Sequence, residues 1–236
     1  MNKVALIRQP AGLGDILFGQ KIAHKIMDIG YDVIWPVFPV FSWIGDYIKT
    51  GVQFPNVVND FHCKNIYDIK KLIKTDEFIY LPLDTAGKWF KEDSVMECKY
   101  KMAGLKSDDW ADYLHITRNI EKENELFYNV LGLKDNEEYI FVNKNYNTHP
   151  LMICKYIPEK FESKVIEMGV KDGYSLFDWY KVLENAKEIH TVETSLNYLI
   201  EVNKNIKCPL YMYSKWNPVD YHHIQHLFKR DWVYKK

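Results

Sequence analysis

The sequence lacks several patterns that would indicate a particular class of protein. Its four cysteines, among 236 residues, have no CxxC spacing, which argues against a zinc ribbon or a thioredoxin-type dithiol. No run of apolar residues approaches the roughly 20 needed for a transmembrane helix. The apolar run at residues 4–7 is too short for the core of a signal peptide. These features favour a protein of the cytoplasm with reduced thiols.

The sequence also lacks an excess of charge of either sign. Lys and Arg number 31 and Asp and Glu 32, which gives a formal net charge of -1. Such a chain has no net field that would concentrate nucleic acid or an anionic membrane surface, so an anionic ligand must be held by local groups. With 47% hydrophobic and 27% charged residues, the composition is that of a globular protein with a packed core.

Short apolar runs alternate with helical patterns along most of the chain, which predicts an α/β fold with parallel sheets. Residues 86–118 contain no clear strand pattern and are predicted to connect two halves. We therefore expect two Rossmann-like domains, at residues 1–117 and 118–236. Strands are predicted at residues 3–9, 31–38, 77–83, 138–143, 164–168, 187–191 and 209–213, the last being the final strand. Helices are predicted at residues 16–29, 41–49, 67–74, 119–131, 176–185 and 195–203.

The first strand is followed by a glycine turn, Gly12-Leu13-Gly14-Asp15, and then by a helix. A junction of this kind places backbone N–H groups and the positive end of a helix dipole where an anionic or polar ligand can bind. The turn is neither a dinucleotide fingerprint, because Leu17 replaces the third glycine, nor a P-loop. Asp15 either caps the helix or acts as a general base, and its spacing does not decide between the two.

Two further junctions lie in the second half. Glu193, Thr194 and Ser195 offer a carboxylate and two hydroxyls where a helix begins, a combination suited to a diphosphate and a ribose. The alternative is an ordinary N-cap formed by Thr194 or Ser195. At the end of the strand at 138–143, Asn143 is followed by Lys144, which either neutralises a phosphate or is a solvated surface lysine.

The sequence gives little support for a bound metal. His222 and His226 would share one helical face, with His223 beside them, but no acidic residue lies between them as in HExxH. An amphipathic helix is the preferred interpretation of this segment. No Asp-x-Asp pair exists for a nucleotide-bound divalent cation, and no Gly-x-Ser-x-Gly nucleophile motif occurs. We expect neither a metal nor a cofactor.

Two segments resemble a known family. Residues 4–26, VALIRQPAGLGDILFGQKIAHKI, resemble the N-terminus of GT-B glycosyltransferases of the ADP-heptose:LPS heptosyltransferase family, glycosyltransferase family 9. Residues 189–200, IHTVETSLNYLI, resemble the segment of the same family that opens a helix beside the donor diphosphate. The resemblance implies two domains that face a cleft, and a general base at Asp15. It further implies an acceptor-side loop at Gly12, Leu13 and Gly14, and donor-binding residues Asn143, Lys144, Glu193, Thr194 and Ser195.

The function implied by this resemblance is transfer of a sugar from a nucleotide-sugar to a hydroxyl of a glycan or lipid-linked sugar. The expected mechanism inverts the anomeric centre and needs no metal. Two alternatives remain open at this point. A non-catalytic nucleotide or nucleotide-sugar binding protein would have the same junctions. A nucleotide-dependent oxidoreductase would need an acidic residue for the ribose, for which Asp32 is the candidate.

Overall fold

The computed structural model describes residues 3–56, 75, 77–92, 94–146, 152–215 and 224–235. Elements are numbered below along these described residues. The chain divides into two compact units, Met1–Thr117 and Arg118–Lys236. The helix predicted at 67–74, His222 and His223 lie outside the described residues.

The first unit is built on a parallel sheet whose strands are short and apolar. Strand β1 is buried from its second residue onward, as expected for a strand covered on both faces. The elements are β1 (Lys3–Ile7), α1 (Leu13–Phe18), α2 (Gln20–Asp28), β2 (Tyr31–Ile34), a 3-10 helix (Pro39–Phe41), α3 (Ile44–Tyr47), β3 (Phe78–Leu81), a 3-10 helix (Leu83–Thr85), α4 (Ala86–Trp89), α5 (Val95–Met102) and a 3-10 helix (Trp110–Tyr113).

The first sheet has the order β2-β1-β3, and all pairings in it are parallel. Residues 53–56 form parallel bridges to the other side of β2 and its continuation, at Ile34 and Val37. If the four extended segments are numbered along the chain, with residues 53–56 as the third and β3 as the fourth, their order in space is 3-2-1-4. This is the arrangement of half a Rossmann fold. The order reverses between β1 and β3, so the carboxyl ends of these two strands flank a topological switch point, where such sheets bind ligands.

The sequence predicts a single helix at residues 16–29. This prediction is wrong in one respect, because the structure has two helices, α1 and α2, separated at Gly19. A Cβ at Gly19 would lie 2.7 Å from the Trp35 ring, a contact that only glycine avoids. The buried Trp35 ring also donates its indole N–H to the Gln9 carbonyl at 3.0 Å. The tryptophan thus packs directly against the helix backbone at the break.

The second unit contains a larger parallel sheet and a small antiparallel pair of strands. Helix α6 continues into a π-helical segment, and a residue with positive φ, Gly132, ends the helical run. The elements are α6 (Ile120–Asn124), a π-helix (Glu125–Val130), β4 (Ile140–Asn143), β5 (Asn145–Tyr146), β6 (Met152–Ile153), β7 (Val165–Glu167), a 3-10 helix (Leu176–Trp179), α7 (Tyr180–Glu184), β8 (Glu188–Val192), α8 (Ser195–Val202), β9 (Leu210–Tyr213), a 3-10 helix (Gln225–Leu227) and β10 (Trp232–Lys235).

The five strands of this sheet lie in the order β7-β4-β8-β9-β10, all parallel. In chain order this is 2-1-3-4-5, the other common doubly wound arrangement. Its switch point lies between β4 and β8, which pair from Ile140 with Glu188 to Asn143 with Thr191. The α/β class and the parallel Rossmann-like sheets predicted from sequence are confirmed.

The prediction that residues 209–213 form the last strand is wrong, because β10 follows and pairs with β9. Buried Glu201 on α8 stabilises this added strand. Its carboxylate accepts hydrogen bonds from the backbone N–H groups of Lys229 and Arg230 and from the indole N–H of Trp232. These contacts join residues almost thirty positions apart, which explains why local pattern alone did not indicate the strand.

Candidate functional site

The first candidate region, here called the Asp15 edge, consists of Gln9–Asp15, Leu83, Asp84 and Lys99. It lies at the carboxyl ends of β1 and β3, at the switch point of the first sheet. Gly12 is the N-cap residue of α1 and has a φ of 81°, a conformation that favours glycine. No side chain caps this helix. The interpretation of Asp15 as a helix cap is therefore not supported by the structure.

The Asp15 carboxylate instead pairs with a lysine from a distant helix. Lys99 on α5 lies 3.0 Å from Asp15 through Nζ and Oδ1. The lysine side chain is 3% exposed, whereas the Asp15 side chain is 29% exposed. The other carboxylate oxygen of Asp15, Oδ2, lies 2.3 Å from where a Cβ on Gly12 would stand. The carboxylate is thus held on a cation while part of the side chain stays open to solvent.

Other polar groups of the Asp15 edge are paired as well. Nε of Arg8, the residue after β1, lies 2.8 Å from Oδ1 of Asp84, and the Arg8 guanidinium lies 5.8 Å from the centre of the Tyr80 ring. The Gln9 side chain donates to the carbonyl of Ala11 within the glycine turn. The Arg8–Asp84 pair joins the residue after β1 to the segment after β3, whereas the Gln9 contact is internal to the turn.

The second candidate region, here called the Thr194 edge, consists of Asn143, Lys144 and residues 191–197. It lies at the carboxyl ends of β4 and β8, at the switch point of the second sheet. The buried Asn143 amide donates from Nδ2 to the hydroxyls of Thr191 and Thr194, each at 3.2 Å. The structure therefore brings together two residues, Asn143 and Thr194, that are 51 positions apart in sequence.

Thr194 is the N-cap residue of α8, the helix that starts at Ser195. Its backbone N–H donates to Oδ1 of Asn197 at 2.9 Å, and the Asn197 N–H donates back to the Thr194 carbonyl at 3.1 Å. Asn197 is fully buried, and its Nδ2 has no hydrogen-bond partner. The N-cap interpretation of Thr194 is confirmed, and capping is compatible with ligand binding because the first-turn N–H groups of a helix lack intrahelical partners.

The remaining predicted donor residues lie around this helix start. Glu193 and Ser195 flank Thr194 and are half-buried, and the Glu193 N–H donates to the carbonyl of Tyr213, which extends the pairing of β8 with β9. Lys144 follows β4, and its ammonium lies 3.4 Å from the half-exposed carboxylate of Glu167 at the end of β7. Such a partly exposed ion pair stabilises little, so the lysine remains available to an anion.

Below the Thr194 edge, β8 carries a buried histidine. His190 Nδ1 lies 2.9 Å from the Tyr213 hydroxyl, and Nε2 lies 3.1 Å from Glu188. Its ring stacks on that of Tyr211, with centroids 4.4 Å apart. Burial lowers the pKa of His190 although Glu188 opposes this, and burial raises the pKa of Tyr213 to about 12. A neutral imidazole that donates to Glu188 and accepts from Tyr213 satisfies both contacts.

Two other predictions concern metal and ribose binding. His226 lies in the 3-10 helix Gln225–Leu227, and the described parts of the chain contain no group of three or more His, Cys, Asp or Glu that could hold a metal ion. Asp32, the candidate ribose acid, is exposed at the second position of β2. It therefore lies near the amino end of that strand, away from the carboxyl edge where a dinucleotide ribose would bind.

Comparison with solved structures gives matches that cover almost the whole chain. A glycosyl transferase family 9 structure from Veillonella parvula has a TM-score of 0.60 at 12% identity, covering 99% of this chain and 86% of that one. The E. coli heptosyltransferase WaaC with ADP has a TM-score of 0.53 at 13% identity, covering 98% and 92%. The chain is similar in fold to glycosyltransferase family 9. The same E. coli enzyme with ADP-2-deoxy-2-fluoro heptose has a TM-score of 0.50 at 11% identity, covering 99% of this chain and 93% of that one.

At these sequence identities the similarity is one of fold. It confirms, for the fold, the resemblance to glycosyltransferase family 9 predicted from the sequence. Comparison of the sequence with protein-family models and with curated proteins finds no match. Among the residues that the structure describes, no helix has the length and apolar character needed to cross a bilayer.

Sequence reasoning missed Lys99, Gln9 and Asn197. Lys99 and Gln9 lie 90 positions apart, and Lys99 belongs to the connecting stretch 86–118, where no motif drew attention to it. Asn197 is three residues beyond the cap, the position at which a capping-box partner is expected, so its contact with Thr194 was detectable from spacing. The contact of Lys99 with Asp15 depends on the packing of α5 against the ends of β1 and β3, and local spacing does not encode it.

Proposed function

We propose that this protein is a glycosyltransferase that moves a sugar from a nucleotide-sugar donor to a hydroxyl acceptor. The observation that carries this proposal is the state of Asp15, a partly exposed carboxylate at a switch point that does not cap its helix. A partly exposed carboxylate is suited to remove a proton from a hydroxyl. The fold similarity to glycosyltransferase family 9 supports the same reaction class.

The Thr194 edge is the proposed donor site. Helix α8 begins there with its first-turn N–H groups and positive dipole end, and Thr194, Ser195 and Lys144 add hydroxyl and ammonium donors. These groups suit the diphosphate of a nucleotide-sugar, and the Glu193 carboxylate suits the hydroxyls of a ribose or sugar. Because the structurally similar WaaC is complexed with ADP and with an ADP-heptose analogue, ADP-sugars are the first donors to test.

The proposed reaction is a single displacement at the anomeric carbon. Asp15 accepts the proton of the acceptor hydroxyl, whose oxygen attacks from the side opposite the diphosphate, so the configuration inverts. The bond from the anomeric carbon to the diphosphate oxygen breaks, and the amides of α8, the hydroxyls and Lys144 stabilise the released charge. No metal takes part in this scheme. The proposal includes the two-domain GT-B arrangement and a glycan or lipid-linked sugar as the acceptor.

The proposal is tested with a panel of ADP-, UDP-, GDP- and CDP-sugars and the free nucleotides. A ligand that binds only the folded chain raises its apparent melting temperature. The donor that gives the largest shift is then incubated with sugar acceptors, and release of nucleoside diphosphate is measured. Release that depends on both donor and acceptor supports a transferase. Binding without release under every acceptor condition would favour the alternative, a nucleotide-sugar binding protein without catalysis.

A further inference from the structure

Lys99 makes three contacts from a single buried ammonium group. Its Nζ forms an ion pair with Oδ1 of Asp15 at 3.0 Å, and it donates hydrogen bonds to Oε1 of Gln9 at 2.5 Å and to the carbonyl of Leu83 at 3.1 Å. The lysine is 2% exposed and joins the end of β1, the end of β3 and the first turn of α1.

These contacts restrict how the Asp15 carboxylate can turn. Oδ1 is held by the Lys99 ammonium, and Oδ2 lies over Gly12 in the space that any other residue there would fill with a Cβ. Anchoring Oδ1 on the ammonium, with Oδ2 beside Gly12, restricts the orientation of the carboxylate plane. In a side chain that is 29% exposed, this leaves a defined direction from which a hydroxyl can approach.

We propose that Lys99 is a positioning residue that holds Asp15 in the orientation in which it accepts the acceptor's proton. This inference rests on the proposed function. Lys99 acts through Asp15 and does not touch the substrate, because its side chain is buried and its ammonium already contacts Asp15, Gln9 and Leu83. Fixing a general base in the productive geometry lowers the barrier, since small misplacements of reacting groups cost large factors in rate.

The test replaces the buried ammonium by an apolar side chain of similar length, Lys99→Met. Since displacement of a catalytic group by about 1 Å can cost on the order of 100-fold, we expect kcat to fall roughly 10- to 100-fold. The KM for the donor selected by the nucleotide-sugar panel is expected to stay within about twofold, because Lys99 contributes no group to donor binding.

A matched control comes from another buried lysine of the same unit. Lys21 on α2 is 6% exposed, pairs with Asp109 and donates to the Lys106 carbonyl at 2.7 Å. Lys21→Met removes a buried ammonium and its ion pair without touching Asp15, so it is expected to lower the urea midpoint while kcat remains that of the wild type. If Lys99→Met does not fold, Lys99→Gln keeps a hydrogen-bond donor and serves in its place.

A double-mutant cycle separates positioning from general damage. If Lys99 acts only through Asp15, adding Lys99→Met to Asp15→Asn changes kcat by less than about twofold, because the two residues act as a unit. An equal further loss in the double variant would overturn the inference. The inference would also be overturned if Lys99→Met kept the wild-type kcat while Asp15→Asn was inactive. That result would leave the assignment of Asp15 as the base intact. Wild-type kcat in Asp15→Asn would instead reject the base itself, and the positioning role with it.

Discussion

The Asp15 edge and the Thr194 edge occupy equivalent places in two parallel sheets but are built from different chemistry. At the first, the central contact joins a carboxylate and a buried ammonium, at 3.0 Å. At the second, neutral amides and hydroxyls contact one another at 2.9 to 3.2 Å around a helix start. A full negative charge suits proton transfer, whereas neutral donors and a helix dipole suit an anion. Under the proposed function, the first edge supplies the general base and the second binds the donor.

The largest effect is expected for Asp15→Asn. The amide keeps the size of the side chain but cannot accept the acceptor's proton, so turnover should fall by about 100- to 10,000-fold, the usual contribution of a general base. Nucleotide affinity, measured by calorimetry on the same preparation, should stay unchanged because the donor is held at the other edge. An equal loss of affinity would remove the distinction between the two edges.

Gly12→Ala should have the next largest effect. A Cβ at this position would lie 2.3 Å from Oδ2 of Asp15, so the carboxylate must move, and the φ of 81° costs a non-glycine residue about 1 kcal/mol or more. We expect a roughly tenfold loss of kcat from the displaced carboxylate. Kinetics and thermal unfolding of the variant check both parts. A loss of stability with no change in kcat would show that the carboxylate position is not critical.

Thr194→Ala tests the second edge. Loss of the hydroxyl removes the contact with Asn143, and we expect nucleoside diphosphate affinity to weaken about tenfold, the equivalent of a hydrogen bond to a charged group. Ser175→Ala is the matched control, because Ser175 caps the helix Leu176–Trp179 of the same unit. Both variants should lose stability by about 1 kcal/mol, Ser175→Ala through its cap and Thr194→Ala through the lost hydrogen bond with Asn143. Only Thr194→Ala should lose affinity, and a similar loss in Ser175→Ala would attribute the effect to general destabilisation.

Much of the fold was predictable because the strands of parallel sheets are buried on both faces and appear as short apolar runs, as at β1, β4 and β8. Strand β10 was missed because Glu201 holds it from a distant helix. Asp15 and Thr194 were identifiable as candidates because both lie at strand-to-helix junctions. The partner of Asp15 could not be identified from sequence, since Lys99 is 84 positions away and reaches Asp15 only through tertiary packing.

The smallest effect concerns pH and the histidine beneath the Thr194 edge. Burial lowers the pKa of His190 in the folded chain, so the unfolded chain binds more protons as the pH falls. The stability associated with the neutral ring is present above the unfolded pKa of about 6.5 and is lost as the pH falls below it. His190→Gln should flatten this part of the urea stability profile relative to the wild type. An unchanged profile would show that His190 does not contribute to it.

The most direct test of the division between the edges is amide hydrogen exchange with and without the nucleoside diphosphate that gives the largest thermal shift, beginning with ADP. Bound diphosphate should slow exchange in residues 193–197, most of all at Ser195 and Leu196 in the first turn of α8. The N–H groups of Glu193, Thr194 and Asn197 already donate to Tyr213, Asn197 and Thr194. The same experiment on Thr194→Ala, at equal nucleotide concentration, should show weaker protection. Unchanged exchange at 193–197, with protection confined to residues 9–15, would contradict the account, because the nucleotide would then bind at the edge assigned to the base.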